Sequence, residues 1–170
     1  MENRRFFYLK FGFFLSLSLL ISSASFSQST TNFSGSWSFN ESKSDVGDGG
    51  LRMVFQDLSI NQNANSFTLE RVFRGQDGTE RKMSETYTLD GKESVNPIFN
   101  SSKKSKAVWS SDKTTLTVSS VILFEMNGES NEIKTVETYK LLDGGKALSL
   151  DSQTTTSMGD RKTLLVYNKN

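Results

Sequence analysis

The stretch 114–150, TTLTVSSVILFEMNGESNEIKTVETYKLLDGGKALSL, sets two turn signals, Asn127-Gly128 and Gly144-Gly145, between segments that alternate apolar and polar residues. Alternation with period two marks a half-buried strand, and Asn-Gly marks a tight hairpin because its residues tolerate positive φ. Read as a two-residue loop, Asn127-Gly128 pairs Met126 with Glu129, Phe124 with Asn131, Ile122 with Ile133, Ser120 with Thr135, Val118 with Glu137 and Leu116 with Tyr139. Gly144-Gly145 continues the same face, setting Leu141 against Leu148, Tyr139 against Leu150, Glu137 against Ser152 and Thr135 against Thr154. A slip of one residue turns every side chain to the other face, so two turns agreeing on one apolar face is a strict internal check.

Working outward, Gly159-Asp160 read as the next loop sets Thr163, Leu165 and Tyr167 opposite Thr156, Thr154 and Ser152. Upstream, Gln76-Asp77-Gly78 suits a three-residue loop with glycine in the left-handed position, pairing Phe73 with Arg81, Arg71 with Met83, Leu69 with Glu85 and Phe67 with Tyr87. Further turn signals at 61–66, Asp90-Gly91 and Ser111-Asp112 cut the chain into about ten strands: 35–40, 51–61, 66–74, 79–89, 93–96, 103–110, 114–126, 131–142, 147–157 and 161–168. Consecutive hairpins with one apolar face form a meander, and closing it removes the exposed edges. The expected fold is therefore all-β, an antiparallel up-and-down barrel of about 8–10 strands. Its outer face carries Thr68, Glu70, Lys82, Ser84, Thr86, Lys134, Thr138 and Lys140, the reverse of the apolar exterior of an outer-membrane barrel.

The inner face is mixed. Phe67, Leu69, Phe73, Met83, Tyr87, Leu89, Leu116, Val118, Ile122, Phe124, Ile133, Tyr139, Leu141, Leu148 and Leu150 share it with Arg71, Glu85, Glu137, Ser152, Thr154 and Tyr167. Arg71 and Glu85 lie diagonally across one hairpin, within reach of each other, and Glu137 faces Ser152. Buried charge is costly unless paired or wet. Two readings stay open: a solvated lumen whose polar groups orient a mostly apolar ligand, and an internal salt bridge with strand ends that reach water. On the first, the candidate ligand-binding residues are Arg71, Glu85, Tyr87, Glu137, Tyr139, Ser152 and Tyr167.

The ends of the chain add an address. Residues 1–27 carry Arg4, Arg5 and Lys10, then the apolar run FGFFLSLSLLI at 11–21 and the small-residue stretch SSASFSQ, the form of a secretory signal cut after Ser27. The run is too short to span a bilayer, which takes about 20 residues. The expected organisation is a signal at 1–27 and one barrel domain at 28–170, with no membrane span after removal. The 170 residues hold 20 Lys+Arg and 19 Asp+Glu; the signal takes three basic and one acidic residue with it. That near-neutral balance gives no pull toward nucleic acid. There is no Cys and no His, which excludes disulfides, thiol and imidazole catalysis, a lipoprotein anchor and the usual zinc sites. An exported chain without cysteine fits a bacterial periplasm or secreted fraction.

The mature chain opens on Phe33-Ser34-Gly35-Ser36-Trp37, and this Phe-x-Gly-x-Trp resembles the first strand of lipocalins and fatty-acid-binding proteins, the calycin group. It closes on Leu165-Val166-Tyr167-Asn168-Lys169, similar to the last fatty-acid-binding strand, where an Arg-x-Tyr pair grips a carboxylate. The resemblance, nearest to small secreted bacterial lipocalin-like domains, implies a barrel around an apolar-ligand cavity. It gives Gly35 and Trp37 structural roles, at a bend and at the barrel floor, and makes Tyr167 a ligand contact. Leu165 stands where the family has its Arg, and 41–50 (ESKSDVGDGG) is too short and glycine-rich for the family's helical lid.

Other signals carry less. Ser101-x-x-Lys104 matches a serine nucleophile pattern but lacks the helix and the α/β domain that such motifs open; a polar loop and an exposed strand edge of Lys103, Lys104 and Lys106 is the simpler reading. The segment 45–50 has two carboxylates without the full oxygen spacing of a calcium loop, and reads as a turn. Trp109 beside three lysines falls short of a nucleic-acid footprint. The sequence thus predicts a monomeric, non-enzymatic, exported barrel without metal or cofactor, with a small apolar or amphipathic molecule in its lumen. The alternative is a barrel with a filled core that binds an envelope protein or a glycan. An enzyme using Glu85 and Glu137 ranks third, and needs the two carboxylates facing one cleft.

Overall fold

Ten strands follow the turns. The computed structural model describes residues 29–47, 54–74, 79–98, 100–126 and 128–170. The strands are β1 Gly35–Phe39, β2 Asp57–Gln62, β3 Ser66–Arg74, β4 Glu80–Thr88, β5 Glu93–Ile98, β6 Ser101–Trp109, β7 Thr115–Met126, β8 Glu129–Leu142, β9 Ala147–Thr156 and β10 Gly159–Lys169. All neighbours are antiparallel in one sheet of order β4-β3-β2-β1-β10-β9-β8-β7-β6-β5, an up-and-down meander in which β1 joins the last strand. Residues 1–28, 48–53, 75–78, 99 and 127 lie outside the described residues, and with them the expected signal, the second half of the expected turn at 45–50, the start of the expected strand 51–61 and the Gln76-Asp77-Gly78 loop with its expected left-handed glycine. The side chain of Phe73, expected on the inner face, is likewise not described.

Every pairing expected from Asn127-Gly128, Gly144-Gly145 and Gln76-Asp77-Gly78 is present. The last hairpin differs. Its turn is Ser157-Met158, so Gly159 pairs with Thr156, and Tyr167 sits opposite Leu148 rather than Ser152. The reason is local: the Thr156 hydroxyl accepts from Met158 N at 3.1 Å and donates to the Gly159 carbonyl at 3.2 Å, closing the turn before the glycine. Gly159, at φ 123°, becomes the first strand residue. The displacement is an even number of residues, so the inner and outer faces keep their identity.

Closure between β4 and β5 uses side chains in place of a backbone ladder. The buried Asn96 amide accepts from Thr86 N at 2.8 Å and donates to Thr86 O at 3.0 Å, and Ser94 Oγ accepts from Thr88 N at 2.9 Å. Pro97, which has no N–H to give a ladder, follows directly. Asn96→Leu leaves a strand donor and acceptor at the seam without partners, and is expected to cost about 1–3 kcal/mol. Faster hydrogen exchange at the Thr86 amide, with β7–β8 amides unchanged, is the measurement that checks it.

The two ends differ. At the end that carries the β2–β3, β4–β5, β6–β7 and β8–β9 turns, Phe33 enters the barrel fully buried. It stacks on Trp109 with ring centroids 5.7 Å apart, and meets Phe67 and Tyr139 edge-on at 6.1 and 6.4 Å. Trp37 Nε1 donates to the Phe33 carbonyl at 3.1 Å, which makes Phe33 and Trp37 one floor. Gly35 holds φ 147°, and a Cβ there would press on Lys169 Cε at 3.1 Å, so the glycine supplies the bend of the first strand. Leu58, Leu69, Leu116, Val118, Leu148 and Leu150 pack above the floor.

Candidate functional site

Above this apolar floor the barrel holds a set of ionised groups out of water. Arg71 on β3 hydrogen-bonds through Nη1 to Glu85 on β4. Its Nη2 reaches Glu137 Oε1 at 2.6 Å and the Tyr139 hydroxyl at 3.1 Å, both on β8. Lys103 on β6 sits 2.7 Å from Glu85 Oε1 and 3.5 Å from the Tyr87 hydroxyl. The Tyr139 hydroxyl donates to Glu137 Oε2 at 3.0 Å. Arg71, Glu85, Lys103 and Glu137 are each at most 8% exposed. Strands β3 and β8 lie far apart in the sheet order, so the Arg71 guanidinium crosses the lumen and ties opposite walls. Two cations and two carboxylates cancel, and among the described residues no buried side-chain nitrogen or oxygen lacks a hydrogen-bond partner. A fully bonded neutral set is the form in which buried charge is tolerable.

The electrostatics follow from this packing. Burial opposes the charge on Arg71, yet Glu137, Tyr139 and Glu85 together hold its pKa well above the ordinary value. Burial likewise pushes Glu137 up, but Arg71 and Lys103 outweigh it and keep the carboxylate below the usual range. The phenols of Tyr87, Tyr139 and Tyr167 are driven well above 10, chiefly by burial. Above pH 10 these tyrosines keep their protons in the folded chain and lose them in the unfolded one. Stability therefore falls as pH rises, by up to about 1.4 kcal/mol per pH unit for each phenol that stays protonated. Urea midpoints measured between pH 9 and 11 are expected to fall steeply, and Tyr139→Phe to flatten the slope.

The structure brings five of the expected residues, Arg71, Glu85, Tyr87, Glu137 and Tyr139, into this one network. Two stand apart from it. Ser152 is half-buried opposite Thr163 and Glu137, and the Tyr167 hydroxyl donates to the Phe55 carbonyl at 3.1 Å, so Tyr167 ties β10 to the segment before β2. Lys103 corrects the reading of 103–106 as an exposed lysine edge: Lys104 and Lys106 are exposed, but Lys103 is buried against Glu85. A register run back from the Ser111-Asp112 turn shows why, since Trp109 pairs with Leu116, Ala107 with Val118, Ser105 with Ser120 and Lys103 with Ile122 on the inner face. In the same segment Ser101 Oγ donates to the Leu123 carbonyl.

One open space lies at the opposite end from the floor, where the β5–β6 and β7–β8 hairpins turn. A cavity of about 820 Å³ is lined there by Ile98, Ile122, Phe124 and Ile133, with Leu123 beside them. Asn100, Ser101, Glu125 and Ser130 complete its edge. Ile122, Phe124 and Ile133 belong to the expected inner face, and here they remain half-buried rather than packed. Among the described residues no group of three or more Asp, Glu, His or Cys is placed to hold a metal ion, and no helix is long and apolar enough to cross a membrane.

No family model matches the chain, and no curated protein matches it in sequence. Solved structures do share its shape. One is the zebrafish ileal bile acid-binding protein complexed with cholic acid, with a TM-score of 0.55 and 16% identity over 81% of this chain and 98% of that one. Another is a secretory abundant heat soluble (SAHS) protein from Ramazzottius varieornatus, with a TM-score of 0.55 and 12% identity over 84% of this chain and 98% of that one. The fold is calycin-like: a nearly closed, ten-stranded, up-and-down barrel.

Proposed function

We propose that the chain is an exported, non-enzymatic carrier, with residues 28–170 as the mature barrel, and that it seats the apolar part of a small apolar or amphipathic molecule in the mouth cavity. The observation that carries this reading is the cavity itself. About 820 Å³ walled by isoleucine and phenylalanine, with a few polar groups at the edge, has the size and lining of a small-molecule site. The neutral charge network lies between the filled floor and this cavity, which supports entry of the ligand from the end where β5–β6 and β7–β8 turn. The similarity in shape to a barrel solved with cholic acid supports the same reading. Nothing in the network is poised for catalysis, because Glu85 and Glu137 are each committed to Arg71 and neither lines the cavity.

The test is native mass spectrometry of residues 28–170 expressed with the export signal, with release and identification of anything carried. Thermal shifts across a panel of single-chain amphiphiles accompany it. A stoichiometric adduct is expected, and Phe124→Asp, which places a carboxylate in the apolar wall, is expected to weaken binding tenfold or more while the barrel stays folded. A bare mass with no gain in melting temperature across the panel overturns the carrier reading.

A further inference from the structure

The cavity is chemically one-sided, and this rests on the reading of it as the ligand site. The described residues that line it lie within 98–101 and 122–133, sequence segments that contain Glu125, Glu129 and Glu132 and no Lys or Arg. Glu125 lies on the edge of the cavity and is the one ionisable residue among the described residues that line it. Glu132 is drawn to Lys134 at 2.6 Å, and no described ion pair involves Glu125 or Glu129. Two cations of the inner face lie deeper in the barrel and are already taken. Arg71 is bonded to Glu85 and Glu137, while Lys103, opposite Ile122 in the register, turns to Glu85. An anion reaching down to them must displace an internal carboxylate and leave it buried without a partner, which is heavily penalised.

We infer that the mouth selects amphiphiles with a cationic or uncharged polar end and discriminates against carboxylates and other anions. The apolar chain lies against Ile98, Ile122, Phe124 and Ile133, and the polar end projects past Glu125 toward water. An ammonium there meets a carboxylate at the edge, whereas a carboxylate or sulfate meets like charge and finds no cation among the described residues that line the cavity. The barrel wall thus reserves its own arginine for internal use, and selectivity passes to the rim.

Three probes with one ten-carbon chain separate the outcomes: decyltrimethylammonium, decyl maltoside and decanoate. Each is titrated below its micelle concentration at pH 7.5 and low salt, by isothermal calorimetry on residues 28–170. Decyltrimethylammonium is expected to bind at least fivefold more tightly than decanoate, with the maltoside between them, and added salt is expected to narrow the gap. Glu125→Gln is expected to reduce the preference, and Glu125→Lys to reverse it. Decanoate binding as tightly as the ammonium, or an order unchanged in Glu125→Lys, overturns the selectivity and leaves the carrier reading standing. Binding of none of the three, together with a bare native mass, removes the carrier reading itself.

Discussion

Arg71→Met is expected to destabilise the barrel by about 3–5 kcal/mol, the effect of deleting one member of a buried ion set and leaving opposite charge without compensation. The variant keeps the side-chain volume, so the loss is electrostatic: Glu85 and Glu137, both buried, then face a single cation, Lys103. Glu137→Gln alone is expected to destabilise too, by leaving the set with a net positive charge. The double variant Arg71→Met/Glu137→Gln restores neutrality through the remaining Lys103–Glu85 pair. Its loss is therefore expected to be smaller than the sum of the two single losses, with a coupling of about 1–3 kcal/mol. Urea denaturation of the four proteins of this cycle at pH 7 gives the answer. Additive losses contradict the picture of one neutral, coupled set, and a mild single Arg71→Met contradicts burial of the charges.

Much of this network was legible before the structure, because strand register is written in turns. Asn127-Gly128 and Gly144-Gly145 fix β7, β8 and β9 against one another, and Gln76-Asp77-Gly78 fixes β3 against β4, so Arg71, Glu85 and Glu137 fall on the inner face by arithmetic alone. Their meeting across the lumen is a different kind of fact. It depends on the curvature of the whole barrel, which brings β3 opposite β8, and no local pattern reports curvature. Lys103 escaped for a simpler reason: three lysines within four residues look like an edge device, and only the register through Trp109 and Leu116 separates the inward lysine from the outward Lys104 and Lys106. Tyr167 was displaced because a threonine hydroxyl, Thr156, governs the last turn in place of the glycine.

The cavity was the least legible element. Ile122, Phe124 and Ile133 alternate as correctly as Leu116, Val118 and Tyr139, and sequence treats the six alike. What separates them is position along the barrel. The floor has Phe33 and Trp37 to fill it from the first strand, whereas the residues at the mouth meet no such plug among the described residues. On the proposed reading, function follows from that asymmetry: the same inward pattern is packed core at one end and lines an open cavity at the other.

Phe33→Ala tests the asymmetry from its closed end, with an expected loss of about 3–5 kcal/mol, the cost of emptying a phenylalanine-sized space in a packed core. Phe33 lies before β1, where a residue outside the sheet is ordinarily at the surface. Here it is fully buried among Trp109, Phe67 and Tyr139, its N–H donates to Gln62 Oε1 at 3.0 Å, and its carbonyl receives the Trp37 indole. Removing the ring takes away the stacking partner of Trp109 and opens space at the end of the barrel remote from the mouth. Two readouts separate floor from site. The urea midpoint should fall sharply and the Trp109 environment should change in near-ultraviolet circular dichroism, whereas the affinity of the folded variant for an alkyl amphiphile should stay within about twofold, because effects at distant sites without shared partners are independent. A ligand affinity that collapses with Phe33→Ala would place the apolar chain on the floor rather than at the hairpin end, since only a ligand reaching Phe33 feels the lost ring directly.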